Sequence, residues 1–532
     1  MEANCTLVPY QQTGYFSKIV LDYLNKSEQL KPFYLHTPTL EGIKDAIAAR
    51  KNFATDRALL TQELAAQYKP LPETAAVQKN IALLAQPNTF TITTAHQPNI
   101  FTGPLYFTYK ILHVIKLASE LSKQFPESNF VPVFYMGSED ADLDELGSIK
   151  IDGRAYTWQT KQTGAVGRMK VDKAFLALLQ EMEGQLGIYP FGKEIIQIFR
   201  EAYKEGQTIQ QSTLYAVNEL FGQYGLVTVI PDNANLKRAF NGVVEKELSE
   251  AFSHKAVSKT LAALEAHYKV QAGGRDINLF YLLDDKRERI ELANDVYEVK
   301  ALRKQWSKEE IRKELAQHPE RFSANVILRG VFQETILPNI AFIGGGGELA
   351  YWLELKDVFA AANVPYPVLI LRNSFAVTNR TWLHKLEKTG LSLTDIFLND
   401  HDVMNRIVQI HSTHKTHLNG ELEKVKELYT IIGDRASVID ATLQQHVAAL
   451  QTKTVKRLEE LEKKMLRSER RKFSQEQQQL QNLKQALFPN NNLQERVENL
   501  SGFYAQYGRA FIDLLLQKSL TLEQEFAVLI LE

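Results

Sequence analysis

Cysteine is almost absent from the sequence, whose 532 residues include only Cys5. One thiol can neither close an intramolecular disulfide nor build a thiolate cluster around a metal, which excludes disulfide-stapled and zinc-ribbon proteins. The N-terminus lacks the basic and apolar segments of a secretion signal, and no window approaches the roughly 18 apolar residues of a membrane span. We therefore expect a cytoplasmic protein without a membrane partner.

An excess of either charge is also missing. Lys and Arg total 62 and Asp and Glu total 63, which gives a net charge of -1 and no global attraction to nucleic acid. The P-loop pattern G-x-x-x-x-G-K-[ST] does not occur, which argues against a P-loop NTPase. The length exceeds what one core usually supports, so we expect at least two domains and a small-molecule partner.

The most informative stretch changes its periodicity half-way. Residues 89–94 alternate apolar and β-branched polar side chains and predict a strand, whereas apolar residues from Tyr106 to Leu117 recur at helical spacing. The loop between them predicts a helix start, with Pro104 in the first turn and Thr102 or Gly103 as the cap.

Polar groups are dense in that loop. The unpaired N–H groups of a helix start face whatever lies beyond the carboxyl end of the preceding strand. A ligand is therefore expected there, although a capped helix without a ligand would show the same pattern. The candidate contacts are His96, Gln97, Asn99 and Thr102.

A second apolar run, residues 130–136, predicts a neighbouring buried strand and ends in a cluster of acids. Five of the seven residues 139–145 are carboxylates, which repel one another unless they hold a cation, bind an amine or begin a helix. The alternative is a helix capped by Ser138, with its acids in the first turn. The glycine and the terminal glutamate of an EF-hand loop are missing, so calcium is not predicted.

A glycine run at residues 344–347 follows another apolar segment. Gly345, Gly347 and Ala350 fit the G-x-G-x-x-A form of a dinucleotide turn. The next apolar strand, 367–371, ends at Arg372 where NAD use would place an acid, so a nicotinamide cofactor is not expected. Instead, we expect a ligand to approach the glycine backbone, with Glu348, Tyr351, Arg372, Asn373 and Ser374 nearby.

Two further features lie between these motifs. Residues 164–169 place two glycines beside Arg168, which predicts an anion contact or an ordinary turn. Residues 226–232 predict another strand, with Asp232 at its carboxyl end.

The C-terminal third has a different pattern. From about residue 384 to 487 glycine is scarce, proline is absent, and leucines recur near heptad spacing among charged and amide residues. Pro489 and the three asparagines after it predict a turn, with residues 493–516 running back as the second half of an antiparallel hairpin. Such an arm either folds on itself or dimerises. We expect a core over residues 1–383, a helical coiled-coil arm over 384–516, and a segment 517–532 that returns to the core.

Taken together, these motifs resemble the BshC family of bacillithiol biosynthesis. The matching segments are 94–97, 101–106 with Lys110, 137–145, 164–169 and 344–355, and the resemblance extends over the whole chain. The resemblance implies an α/β fold with a Rossmann-like core and a coiled-coil domain. It also implies a ligase that joins cysteine to the amine of glucosaminyl malate.

Amide formation from a free carboxylate needs activation, a proton acceptor for the amine, and donors for the developing oxyanion. Glu139, Asp140 and Asp142 are the candidate catalytic acids, and Asp140 and Asp142 are also candidate Mg²⁺ ligands. Arg168 and Arg372 are expected to pair with the malate carboxylates, since a planar guanidinium fits a carboxylate well. The remaining candidate substrate contacts are His96, Gln97, Asn99, Thr102, Gly103, Tyr106, Lys110, Gly345, Gly346, Gly347, Glu348, Tyr351, Asn373 and Ser374.

Other interpretations of the sequence remain open. The sequence does not identify the agent that activates the cysteine carboxylate, although ATP or ADP with Mg²⁺ is chemically suitable. The substrate cysteine is expected from solution because Cys5 is placed in a flexible N-terminal segment. A nucleotidyl or sugar-phosphate transferase would use the same strand-end loops, whereas a non-catalytic scaffold would leave the polar clusters unexplained. The arm is expected to hold a homodimer.

Overall fold

The computed structural model describes residues 1–270, 273–414 and 417–532. The chain divides into two compact units. The first unit contains residues 1–11, 15–376 and 492–529, and the second contains residues 12–14, 377–491 and 530–532. The arm expected from the sequence therefore extends further than the second unit, because residues 492–516 pack in the first.

The described residues form sixteen β-strands. They are β1 (Ala3–Pro9), β2 (Thr89–His96), β3 (Asn129–Met136), β4 (Ser148–Ile151), β5 (Arg154–Thr157), β6 (Val227–Val229), β7 (Leu279–Leu282), β8 (Arg287–Arg289), β9 (Glu291–Ala293), β10 (Val296–Val299), β11 (Lys304–Trp306), β12 (Phe322–Ala324), β13 (Asn339–Gly344), β14 (Val368–Leu371), β15 (Ser374–Asn379) and β16 (Glu525–Leu531).

The same residues form twenty-four α-helices. They are α1 (Tyr10–Thr13), α2 (Lys18–Leu24), α3 (Leu40–Lys51), α4 (Arg57–Tyr68), α5 (Ala75–Leu84), α6 (Leu105–Gln124), α7 (Leu143–Leu146), α8 (Lys173–Leu186), α9 (Gly192–Ala202), α10 (Ile209–Phe221), α11 (Ala234–Arg238), α12 (Asn241–Glu250), α13 (Phe252–Leu264), α14 (Lys308–Gln317), α15 (Val326–Ile336), α16 (Gly346–Leu353), α17 (Lys356–Ala361), α18 (Arg380–Lys388), α19 (Asp400–His411), α20 (Asn419–Ile439), α21 (Leu443–Arg470), α22 (Ser474–Leu487), α23 (Leu500–Tyr507) and α24 (Arg509–Lys518).

A five-stranded parallel sheet forms the centre of the first unit, in the order β14-β13-β2-β3-β6. From β2 the chain continues on one side to β3 and β6, and later crosses to β13 and β14 on the other. The strand order thus reverses at β2, and in open α/β sheets ligands bind at such a reversal beyond the carboxyl ends of the strands. The predicted Rossmann-like parallel core is confirmed.

Strand β2 is buried along its whole length, including its threonines. The hydroxyls of Thr91 and Thr93 donate to Asn339 Oδ1 at 3.1 and 2.8 Å, which satisfies polar groups that burial would otherwise penalise. The alternating pattern therefore reflects hydrogen bonding to β13 rather than a solvent-facing side.

The loop after β2 is held in an unusual backbone conformation. Phe101, Thr102 and Gly103 have φ angles of 48, 70 and 66°, all in the left-handed region. Asn499 stabilises them, because its side-chain amide donates to the carbonyls of Phe101 and Gly103 at 2.8 and 2.5 Å. Helix α6 then begins after Pro104, which occupies the N-cap position without a side-chain cap, instead of the predicted Thr102 or Gly103.

Cys5 lies in strand β1, which belongs to a three-stranded sheet with the order β1-β16-β15. The flexible N-terminal segment predicted from the sequence is therefore wrong for this residue. Burial raises the pKa of the Cys5 thiol, so the thiolate is disfavoured at neutral pH.

In the second unit, α20 and α21 pack against each other as the long helical hairpin. Its turn lies between Ile439 and Leu443, not at Pro489 as the sequence suggested. The predicted coiled-coil region is confirmed, but its second half is α21 rather than residues 493–516. Among the described residues, no helix is both long enough and apolar enough to cross a membrane.

Candidate functional site

A cavity of about 630 Å³ opens in the first unit at the carboxyl ends of the central strands. Residues that follow β2, β3, β6, β13 and β14 line it, so it lies where the strand order reverses. Its opposite wall comes from β7, β8 and the segments that flank them. The geometry is that of a ligand site in an open α/β sheet.

Most of the candidate residues predicted from the sequence lie in this cavity. The predicted residues that line it are His96, Gln97, Tyr106, Lys110, Glu139, Asp140, Gly345, Gly346, Gly347, Glu348, Tyr351 and Arg372.

The other candidates are not among the lining residues: Asn99, Thr102, Gly103, Asp142, Arg168, Asn373 and Ser374. Asn99, Thr102 and Gly103 belong to the buried loop before α6. Asn373 donates its side-chain amide to the Leu520 carbonyl at 3.2 Å, and Ser374 accepts from Arg372 at 3.1 Å. These side chains therefore support the cavity without facing it.

Glu139 is the most constrained acid of the cluster. Its carboxylate contacts the ammonium group of Lys237 and accepts a hydrogen bond from Ser323 at 3.1 Å. Both Glu139 and Lys237 are buried. A carboxylate held in this way is suited to fixing structure and charge.

Asp140 is half-buried and faces the cavity. Its Oδ2 accepts from the side-chain amide of Gln97 at 3.1 Å, and its Oδ1 accepts from the Ala141 N–H at 2.8 Å. No ion pair engages the Asp140 carboxylate within the described residues. It is the least constrained acid that reaches the site.

Asp142 is exposed and caps helix α7, accepting from the Glu145 N–H at 3.2 Å. The helix-start interpretation of the acidic run therefore holds in part, with Asp142 as the cap instead of Ser138. No group of three or more His, Cys, Asp or Glu side chains in the described part of the chain is arranged to hold a metal ion.

Arg372 borders the cavity but is already paired. Its guanidinium binds Glu495 at 2.6 Å, and both side chains are buried. Burial by itself would lower the pKa of Arg372, but the Glu495 carboxylate raises it above the ordinary value. Arg372 is therefore a permanently charged part of the scaffold, and its partner is Glu495.

Arg168 also forms an ion pair, and it is not one of the residues that line the cavity. Its guanidinium donates two hydrogen bonds to Asp232, each 2.7 Å long. Burial alone would raise the pKa of Asp232, but the hydrogen bonds from Arg168 and the charge of Lys237 hold it below the usual value. Asp232 and Lys237 were not predicted as site residues, although the position of Asp232 after a strand was a usable signal.

The glycine turn is fixed by Glu348. This carboxylate accepts from the Gly345 N–H at 2.8 Å and pairs with Lys110, whose ammonium also donates to the Ala95 carbonyl at 2.9 Å. Burial lowers the pKa of Lys110, and the Glu348 carboxylate opposes that shift. The turn is thereby tied to α6, and helix α16 begins at the cavity wall.

His96 lines the cavity as a neutral imidazole. Burial, together with the positive charges of Lys110, Arg372 and Arg329, holds the pKa of His96 well below its ordinary value. Its Nε2 atom is buried and has no hydrogen-bond partner among the described residues.

Five arginines of the cavity were missed by the sequence analysis: Arg275, Arg287, Arg289, Arg329 and Arg496. Together with Arg372 and Lys110 they give, among the described residues that line the cavity, seven cationic side chains against the three acids Glu139, Asp140 and Glu348. Arg287 and Arg289 lie in strand β8, which has only three residues and therefore shows no periodicity in the sequence. The cavity therefore suits an anionic ligand, although the whole chain is nearly neutral.

None of these five arginines forms an ion pair within the described residues, and Arg275, Arg289 and Arg496 are also exposed at the cavity. Arg287 is half-buried and donates to the Ser323 hydroxyl at 3.2 Å. Arg329 donates to the Tyr351 hydroxyl at 2.6 Å, while its Nη1 atom is buried without a partner. The exposed guanidinium groups of Arg275, Arg289 and Arg496 are therefore the least constrained cations of the cavity among the described residues.

Comparison with known families matches this architecture over nearly the whole chain. Residues 1–373 match the family description "Bacillithiol biosynthesis BshC, N-terminal Rossmann-like domain", and residues 375–531 match "Bacillithiol biosynthesis BshC, C-terminal coiled-coil domain". The chain belongs to the BshC family.

Two proteins named for the BshC family are similar to this chain over nearly its whole length. The proteins of Flavobacterium johnsoniae and Christiangramia forsetii, each named "Putative cysteine ligase BshC", are 39% and 38% identical to this chain. The alignments cover 99% of this chain and 100% and 99% of those proteins. The resemblance seen in the sequence motifs is confirmed.

Proposed function

We propose that this protein is a ligase that forms an amide between the carboxyl group of cysteine and the amine of glucosaminyl malate. The observation that carries the proposal is the cavity itself, in which an unpaired acid, Asp140, and several unpaired guanidinium groups face one space. An amine that carries a dicarboxylate needs both kinds of group. The names of the relatives support cysteine as the second substrate.

Asp140 is the proposed proton acceptor. The sequence left Glu139, Asp140 and Asp142 open, but Glu139 is bound to Lys237 and Ser323, and Asp142 caps a helix outside the cavity. Asp140 would accept the proton that the amine releases as its nitrogen bonds to the cysteine carboxyl carbon. The carboxyl oxygen leaves with the activating group, for which ATP with Mg²⁺ is the proposed donor.

The malate end is proposed to bind the unpaired guanidinium groups of Arg275, Arg289 and Arg496. Planar guanidinium groups bind carboxylates with two parallel hydrogen bonds, which an ammonium group cannot reproduce. Arg168 and Arg372 were first expected in this role, but their guanidinium groups already bind Asp232 and Glu495.

The glycine turn is the proposed source of oxyanion donors. The Gly345 N–H is occupied by Glu348, whereas Gly346 and Gly347 form the first turn of α16 at the cavity wall. N–H groups in a first helical turn lack intrahelical partners and carry the positive end of the helix dipole.

The proposal is tested by incubating the protein with cysteine, glucosaminyl malate, ATP and Mg²⁺, followed by mass spectrometry. We expect a product whose mass equals both substrates less one water, and no such product when ATP is omitted. A nucleotidylated or phosphorylated sugar without cysteine would instead favour the transferase alternative, which the cationic cavity also suits.

We predict that replacing Arg289 or Arg496 with Gln raises KM for glucosaminyl malate and leaves KM for cysteine nearly unchanged. Losing one partner of a desolvated charge pair costs about 2–5 kcal/mol, and the lower part of that range applies to these exposed groups. KM should therefore rise by roughly tenfold or more. Arg303→Gln is the matched control, because Arg303 is not among the cavity residues; equal changes in both KM values would contradict the assignment.

We also propose that the hairpin of α20 and α21 holds a homodimer. The two helices expose a set of large apolar side chains, which water disfavours and which a second copy would cover. They are Leu428, Ile431, Ile432, Val438, Ile439, Leu443, Leu450 and Leu461.

Polar substitutions at Leu450 and Leu461 should convert the dimer to a monomer. These side chains are 41% and 47% exposed, so their replacement by Gln removes interface area without opening the hairpin. Light scattering at micromolar concentration measures the change, with Lys453→Gln on the same helix as the control. A wild-type protein that is monomeric under these conditions would contradict the dimer.

A further inference from the structure

Loop 163–168 contacts both walls of the cavity without lining it. On one side it binds the backbone of the acidic segment that contains Asp140. The Val166 N–H donates to the Asp140 carbonyl at 2.7 Å, and the Gly167 N–H donates to the Ser138 carbonyl at 3.0 Å. A Cβ on Gly167 would lie 2.4 Å from that Ser138 oxygen, so only glycine permits this approach.

On its other side the loop binds the turn between β7 and β8. The Thr163 hydroxyl donates to the Asp285 carbonyl at 2.9 Å. Gly164 has a φ of +90°, and a Cβ there would lie 2.5 Å from the carbonyl carbon of Asp285. This turn leads directly into β8, which carries Arg287 and Arg289 of the opposite wall.

A buried chain of charges runs parallel to this backbone bridge. Arg168 binds Asp232 through two hydrogen bonds, and Asp232 lies 3.4 Å from Lys237, which contacts Glu139. Glu139 in turn accepts from Ser323, whose hydroxyl also accepts from Arg287 at 3.2 Å. The acidic segment and the cavity wall that carries Arg287 and Arg289 are therefore connected in two ways, through the backbone of loop 163–168 and through this chain of charges.

We infer that loop 163–168 sets the spacing between Asp140 and the arginines of β8. The inference rests on the proposed function only for the roles of the two ends, proton acceptor and malate site. An amine and its attached carboxylates must reach both ends together. A shift of the turn by about 1 Å would therefore misplace either the amine or the carboxylates when the other end of the substrate is bound. A misplacement of that size can lower the reaction rate about 100-fold.

The test compares Gly164→Ala with Gly153→Ala. Both glycines have positive φ, +90° and +79°, but a Cβ at Gly153 meets nothing within 4 Å, so the control carries the backbone strain without the collision. Thr163→Val is a milder second variant that removes only the hydrogen bond to Asp285. Amide hydrogen exchange at residues 166 and 167 measures the bonds from the loop to the acidic segment, and exchange at residue 283, whose N–H donates to the Lys286 carbonyl at 2.8 Å, measures the turn. Turnover with cysteine and glucosaminyl malate measures the consequence, and malate binding by calorimetry is the control.

We expect Gly164→Ala and Thr163→Val to speed exchange at these amides, and Gly164→Ala to lower turnover with cysteine and glucosaminyl malate roughly tenfold to 100-fold. The Kd for malate alone should stay nearly unchanged, because malate carries no amine and reaches only the arginine end. Gly153→Ala should change none of these quantities. Unchanged exchange in both loop variants, or faster exchange with unaltered turnover, would overturn the inference. If the wild type forms no amide, the proposed function fails, and the exchange data alone decide whether the loop couples the two walls.

Discussion

Asp140→Asn is expected to reduce turnover by about 100-fold to 10,000-fold, the usual contribution of a general base. The melting temperature should change little, because Asn keeps the shape of the side chain and its oxygen can still accept from the Ala141 N–H. Steady-state turnover with cysteine and glucosaminyl malate, together with thermal unfolding, measures both quantities.

Asp142→Asn is the matched control. Asn caps helices about as well as Asp, and Asp142 is exposed and outside the cavity, so turnover and stability should both stay close to those of the wild type. Asp142→Ala should cost about 0.5–2 kcal/mol in stability and still leave turnover intact. Full turnover in Asp140→Asn, with a lower melting temperature, would assign Asp140 to the structure of the loop instead.

Glu495→Gln is expected to lower the free energy of unfolding by about 3–5 kcal/mol. The substitution leaves the buried guanidinium of Arg372 without its counter-charge, and an unpaired buried charge is far more costly than an exposed one. Urea denaturation measures the loss.

Two comparisons make this prediction specific. Glu28→Gln breaks an exposed pair with Lys31 and should leave the free energy of unfolding nearly unchanged. The double variant Arg372→Met with Glu495→Leu should recover much of the loss, because well-packed apolar side chains can replace a buried pair. If Glu495→Gln leaves stability unchanged and raises only KM for glucosaminyl malate, Arg372 is a substrate contact, as the sequence first suggested.

Much of the core could be predicted because its signals are local. Residues 89–94 and 130–136 become β2 and β3 at nearly the predicted bounds, since alternating or continuous apolar runs have few other ways to bury their side chains. The glycine run at the start of α16 was recognisable for a similar reason, because it removes side chains where a helix meets a cavity.

Contacts between distant residues could not be predicted. The sequence identified Arg372 as a cation that follows a strand. Its partner Glu495 lies 123 positions further along the chain, so the sequence could not predict the pairing that occupies Arg372. The arginines of β8 were missed because strands of three residues show no periodicity. Asp142 was a candidate catalytic acid because a helix cap and a catalytic acid have the same local sequence.

The amino-acid sequence by itself determined the parallel core, the helical arm and the strand ends at which chemistry is concentrated. These depend on side-chain periodicity and on backbone preferences, which act over a few residues. Only the tertiary structure decided which charges are neutralised and which are free. Coulomb interactions and burial depend on distance in space, and a cation with a buried acid beside it has a different role from the same cation facing an open cavity.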